Sequence, residues 1–193
     1  MSGSPVRDAL RNRRTVFQFK KESIPRDDLL KILEAGTWGP NHHLTQPWRF
    51  TVVGPKTNEI LAERYREIQM AKVRGKVPVD ILAIAGQKGV DKWKSKPTVV
   101  FVSCRQEGDE QEKREDYAAA CCAMLGIQLA AAEIGVGLQW STGPITMEDA
   151  AYKLLGIDPE NEYIIGLLYM GYPEEFKEPT PRMGVEEVTR WTD

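Results

Sequence analysis

Apolar residues recur along this chain at two spacings, and the switches between them mark out its elements. Val6, Ala9, Leu10 and Arg13 place a short helix near the start, apolar on one side. In SIPRDDLLKILEAG (23–36), Pro25 suits a first helical turn and Asp27 and Asp28 favour its positive end. Leu29, Ile32 and Leu33 form the apolar stripe of that helix, and Gly36 is placed to stop it. RFTVVG (49–54) predicts a buried strand, and Ile60, Leu61, Tyr65 and Ile68 predict a third helix from about Thr57 to Ala71. Between 73 and 97 the pattern is ambiguous. VPVDILAIAG (77–86) fits a short helix or a strand, whereas GQKGVDKWKSKP (86–97) reads as an exposed loop. PTVVFVSC (97–104) is a second predicted strand, after which the charged run RQEGDEQEKRED leads into an alanine-rich helix. That helix is small or apolar almost all round, which predicts burial on most faces. Gly135 and Gly137 end it, and GLQW begins a short strand. Thr146 with Asp149 predicts a capping box for a helix over 147–155, closed by Gly156. YIIGLLYMGYP (163–173) is a third strong strand. The tail beyond it, with Pro173, Pro179 and Pro181, is predicted to be extended, so Val185, Val188 and Trp191 need a surface to pack on.

Strands and helices mixed without regular βαβ alternation predict an α+β fold. No internal repeat or linker divides residues 1–193, so one domain is expected. With 193 residues, 41% of them hydrophobic, the chain can bury a core of ordinary size. Charged residues are interspersed in sign and the formal net charge is −2, which argues against nucleic acid as a partner. Cys104, Cys121 and Cys122 show no CxxC spacing and favour a reducing compartment. Arg7 and Asp8 interrupt any apolar leader, and the longest uncharged stretch, Tyr117 to Ala132, is short for a membrane span. These features predict a cytoplasmic protein without a membrane segment.

Several chemistries are disfavoured by spacing. His42 and His43, the only histidines, are adjacent and have no carboxylate or cysteine at a ligand offset, so no metal site is expected. Ser103–Cys104 lacks a nucleophile elbow, and GVGLQW follows a helix instead of opening one, so it is no dinucleotide loop. What remains suits a flat, anionic, heteroaromatic ligand. RRT (13–15) offers two guanidinium forks and a hydroxyl to a phosphate. WGPNHHLTQPWRF (38–50) sets amide and imidazole groups beside aromatic surface, and QWSTGP (139–144) is a tight turn whose backbone N–H groups can face a ligand atom.

In this order, the segments resemble the signatures of the FMN-dependent nitroreductase family. RRTVFQFKKESIPRDDLLKILEAG is similar to that family's opening R-R-S element and the helix after it. GPNHHLTQPWRF is similar to its A-P-S-x-x-N-x-Q-P-W-x-F signature, and the histidine after the proline resembles a small-subunit branch with P-D-H. ACCAMLGIQLAAAEIGVGLQWSTGP and LLYMGYPEE match the long small-residue helix, the G-x-P turn and the final strand. The resemblance covers nearly the whole chain. It implies an intertwined homodimer with a central, mostly antiparallel sheet flanked by helices, FMN at the subunit interface, and a tail crossing to the partner. By the same resemblance Arg13 and Thr15 hold the phosphate, with Arg14 beside them and Arg182 reaching in from the tail. Trp38, Asn41, His42 and Gln46 line the ribityl and pyrimidine side, and Trp140, Ser141, Thr142 and Gly143 lie along the ring.

The implied activity is transfer of hydride from NADH or NADPH through flavin N5 to a small-molecule acceptor, a nitroaromatic or a quinone, in a ping-pong cycle without an acid–base side chain. Relatives with the same site carry out dehalogenation, oxidative ring formation or flavin cleavage, and a degenerate FMN-binding protein without turnover is the remaining alternative. Two positions depart from the pattern. Phe17 stands where many members carry a cation, and Leu44 stands where many carry asparagine. His42 or a partner-chain arginine is the expected substitute for the lost polar contacts, unless the reduction potential is lowered.

Overall fold

The computed structural model describes residues 4–192. Four strands, β1 (Trp48–Val52), β2 (Thr98–Arg105), β3 (Gly137–Ser141) and β4 (Glu162–Gly171), form an open antiparallel sheet in the order β1-β2-β4-β3. The two central strands are continuous apolar runs flanked by polar residues, and each buries both faces. Strand alternation sorts their side chains. Val100, Val102, Leu168 and Met170 face α2 (Arg26–Thr37) and α5 (Glu110–Glu133). Val99, Phe101, Leu167 and Tyr169 face α3 (Pro55–Val73), α4 (Val79–Lys94) and α6 (Asp149–Leu155). The α+β prediction holds, with α1 (Pro5–Asn12) lying against α5.

Three local expectations are corrected. Residues 86–97 are not an exposed loop, because α4 runs through them and Trp93 is buried, donating from Nε1 to Asn58 Oδ1 at 2.7 Å. The glycines read as breakers are contact points. A Cβ on Gly86 would stand 2.9 Å from the Met70 side chain, and one on Gly89 would stand 2.6 Å from Gln69. Gly36, likewise, does not stop α2 but sits inside it, where a Cβ would meet Ile127 at 2.8 Å. The capping box lies elsewhere too. Thr146 donates to Gly143 O instead of capping α6, while Asp109 and Glu112 form a reciprocal box at the start of α5.

Residues 174–192 are exposed, including a short helix, α7 (Val185–Val188). Phe176, Met183, Val185, Val188 and Trp191 are all uncovered within one chain, as are Leu125 on α5 and Val6 and Leu10 on α1. The alanine-rich helix is therefore covered on its sheet side and by α2, but not all round.

Candidate active site

The segment after α1 is laid against the end of the sheet by two facing glycines. Gly137 pairs with Gly171 across β3 and β4. A Cβ on the first would be 2.6 Å from Val16, and a Cβ on the second would be 2.9 Å from Pro97 and 3.2 Å from Phe19. The slot so opened lets Val16 N donate to Leu138 O at 3.1 Å and Lys20 N to Tyr172 O at 2.8 Å. These bonds fix Thr15 beside Leu138 and set the preceding arginines. Arg13 Nη1 donates to Gln128 Oε1 on α5 at 2.9 Å, whereas Arg14 Nη2 donates to Thr180 Oγ1 of the tail at 2.5 Å. Arg182 turns back onto the carbonyls of Thr180 and Pro181. Arg11, Arg13, Arg14 and Arg182 line a cavity of about 580 Å³ that no carboxylate lines. None of the four takes part in an ion pair among the described residues. The Nε of Arg14 is buried without a partner.

The turn after β3 continues this end of the molecule. Trp140 lies across Gly166, where a Cβ would come within 2.5 Å of the indole nitrogen. That nitrogen is buried with no acceptor, and Gln139 Oε1 is buried with no donor. Ser141 ends the strand and Thr142 is exposed, while Gly143 O accepts from both the amide and the hydroxyl of Thr146. Beneath the turn, Tyr169 sits opposite Gln139 on β4. Burial pushes its hydroxyl pKa up, an effect the Ser141 hydroxyl beside it partly offsets.

The tryptophan-rich bend is held by contrasting means. Asn41 Oδ1 accepts from Gln46 N at 3.0 Å, closing the loop on itself. His42 Nδ1 donates to Glu115 Oε2 at 2.6 Å, and its ring stacks on His43. Thr45 Oγ1 donates to Asp116 Oδ1 at 2.5 Å, and Arg105 Nε donates to Asp116 Oδ2 at 2.6 Å. These ties hold three non-glycine residues in the left-handed region: His43 at φ 51°, Leu44 at 54° and Gln46 at 45°. Such strain persists only where the surroundings fix it, and it concentrates at ligand sites. Trp38, just past α2, is exposed.

Within one chain the expected residues fall into two groups. Arg13, Arg14, Thr15, Arg182 and the Trp140–Gly143 turn gather near β3 and the tail. Trp38, Asn41, His42 and Gln46 lie before β1, at the opposite sheet edge, roughly 14 Å away in strand spacings. Along α5 the anchors Gln128 and Asp116 are roughly 18 Å apart at helical rise. Sequence reasoning missed the residues that hold these groups. Gln128 carried a signal, as the only amide in an otherwise apolar helix half. Asp116, Arg105 and Thr180 lay in charged or polar runs with nothing to distinguish them.

The sequence profile of the nitroreductase family matches residues 10–172, and the chain belongs to that family. Among its relatives, the inferred NAD(P)H nitroreductase YfhC of Bacillus subtilis (strain 168) is 28% identical over 185 residues, covering 95% of this chain and 92% of that protein. A nitroreductase-like family protein from Bacillus cereus superposes with a TM-score of 0.79 at 25% identity, covering 100% of this chain and 98% of its own. A nitroreductase with bound FMN from Bacteroides fragilis NCTC 9343 does so with a TM-score of 0.72 at 25% identity, over 99% and 100% of the two chains. Among the described residues no helix is long and apolar enough to cross a membrane.

Proposed function

We propose that this protein is an FMN-dependent NAD(P)H oxidoreductase that works as a cytoplasmic homodimer and reduces small nitroaromatic or quinone-type acceptors. The observation that carries the reading is the set of polar groups left without partners at one end of the chain. Four guanidinium groups line a cavity free of carboxylates, and the Nε of Arg14, one of those lining residues, is buried and unpaired. Buried polar atoms are almost always satisfied in a finished protein, so this cavity is suited to a ligand with anionic oxygens. FMN fits that donor set and supplies the two-electron chemistry when bound.

Arg13, Arg14 and Arg182 with the Thr15 hydroxyl are assigned to the phosphate, and Trp140, Ser141, Thr142 and Gly143 to the ring. Trp38, Asn41, His42 and Gln46 lie at the opposite sheet edge, and they are assigned to the ligand bound with a second copy. The uncovered apolar residues of α1, α5 and the tail support this assembly. No side chain of the site is assigned a proton-transfer role. Within residues 73–97, α4 packs on α3 with Val79, Ile81 and Ile84 exposed, and it presents no convergent polar set for one specialised substrate.

Purified protein is expected to be yellow or to take up FMN on reconstitution. It should then bleach anaerobically with NADH or NADPH, added separately, and regain colour with a quinone. A colourless chain that takes up no FMN overturns the proposal.

A further inference from the structure

Lys96, just ahead of β2, is a buried charge with no counter-ion among the described residues. It is 6% exposed, and no carboxylate of those residues lies within ion-pair distance of its ammonium. Its Nζ donates to Phe17 O at 2.6 Å and stands 5.0 Å above the Phe19 ring and 5.5 Å from the Tyr169 ring. Desolvation lowers its pKa, and the charge of Lys92 adds to the effect. A leucine or methionine would fill such a place without stranding a charge, so the lysine is a liability to folding alone. Its surroundings point to the site. Phe17 lines a cavity of about 260 Å³ that opens beside Arg14 and Thr15, where the one carboxylate, Glu175, stands 3.7 Å from Lys177. Tyr169, on the other side of the ammonium, lies opposite Gln139, whose side-chain oxygen is the buried one without a donor, and beside Ser141.

We propose that Lys96 is a positioning residue of the site. Its ammonium joins the arginine-bearing segment to the Ser141 turn and supplies the fixed positive charge that an anionic electron carrier lying between them requires. The inference rests on the FMN reading above. The chain buries a cation and provides no anion; the ligand provides it. A fixed positive charge in a site of low dielectric also favours whichever redox state of the carrier is the more negative. His42, the substitute expected from the sequence, is already engaged by Glu115, whereas Lys96, bonded to the Phe17 carbonyl, has no carboxylate partner among the described residues.

The test compares wild type, K96M, K96Q and K96R, reading the FMN dissociation constant, the midpoint potential of the bound flavin and the melting temperature of the apoprotein. K96M is expected to weaken FMN binding about tenfold. It should also lower the preference for reduced over oxidised FMN about tenfold, a fall of about 30 mV for a two-electron couple. Its apoprotein should melt no lower than wild type, because the stranded charge is gone. K96Q, which keeps a donor for Phe17 O, should show the same fall in potential and stands in if K96M does not fold, while K96R should restore it. Charge-removing variants with wild-type potential and FMN affinity overturn the role of Lys96 alone. A wild-type chain that takes up no FMN overturns both this inference and the function on which it rests.

Discussion

The two ends of α5 treat polar groups in opposite ways. At its start, Asp116 is buried but accepts from both Thr45 and Arg105, and Glu115 holds His42. Toward its other end, Arg13 reaches Gln128 and the Nε of neighbouring Arg14 is buried without a partner, while across the sheet Lys96 is buried without a counter-ion among the described residues. The first end is finished by its own chain and keeps a strained bend in shape. The second is unfinished, and its groups are the ones a phosphate-bearing ring would satisfy. Stability and affinity should therefore separate between the ends, and mutations can test that separation.

The largest effect is expected at the finished end. D116A removes the buried carboxylate that accepts from both Thr45 and Arg105, and losing two hydrogen bonds to a charged group costs about 3 kcal/mol, although Arg105 keeps Glu107. Chemical denaturation of the apoprotein should show that loss, with the bend at 42–46 becoming more susceptible to protease. If D116A instead leaves stability alone, the distinction between the ends is lost. R13A belongs to the unfinished end and should do the reverse. Loss of a charge-assisted contact is worth about 2 kcal/mol, roughly a thirty-fold rise in the FMN dissociation constant. Apoprotein stability should change by less than about 1 kcal/mol, since the remaining loss is one hydrogen bond to Gln128. An R13A apoprotein that unfolds before it loses affinity would reverse the assignment.

The smallest effect concerns pH. The His42 hydrogen bond, followed by one from Gln111, holds the Glu115 carboxyl below its ordinary value of 4.5. A lowered carboxylate pKa contributes stability that is fully present above 4.5 and is lost as pH falls through the folded value. The melting temperatures of wild type and E115Q should therefore differ slightly at neutral pH and converge below pH 4.5. A difference that persists undiminished well below pH 4.5 contradicts this reading of the His42–Glu115 bond.

Most elements were legible because their patterns are local. Apolar runs gave β2 and β4, and the stripes Leu29–Leu33 and Leu61–Ile68 gave α2 and α3. The misread element boundaries involve glycine or capping chemistry, whose meaning is set by tertiary neighbours, while β1, an edge strand, and the open face of α5 were read as more buried than they are. Gly86 and Gly89 break a helix in isolation yet admit Met70 and Gln69 in the folded chain. The signal for α4 was present in the buried spacing of Gly86, Gly89, Val90 and Trp93, but only once glycine is allowed to be a contact residue. Of the site, the donor types could be read from RRT, the tryptophan-rich bend and the WSTG turn. What could not be read is which groups lack partners. Lys96 looks like any lysine in KWKSKP until the fold buries it.

The pair Gly137 and Gly171 also sets how the amino-terminal strip is attached. Val16 and Phe19 occupy space left open by the absent side chains of those two residues, so the strip rests on the margin of the sheet and is not woven into it. A few backbone bonds join it there, so its arginines sit on a segment that can open locally while the strands beneath stay paired.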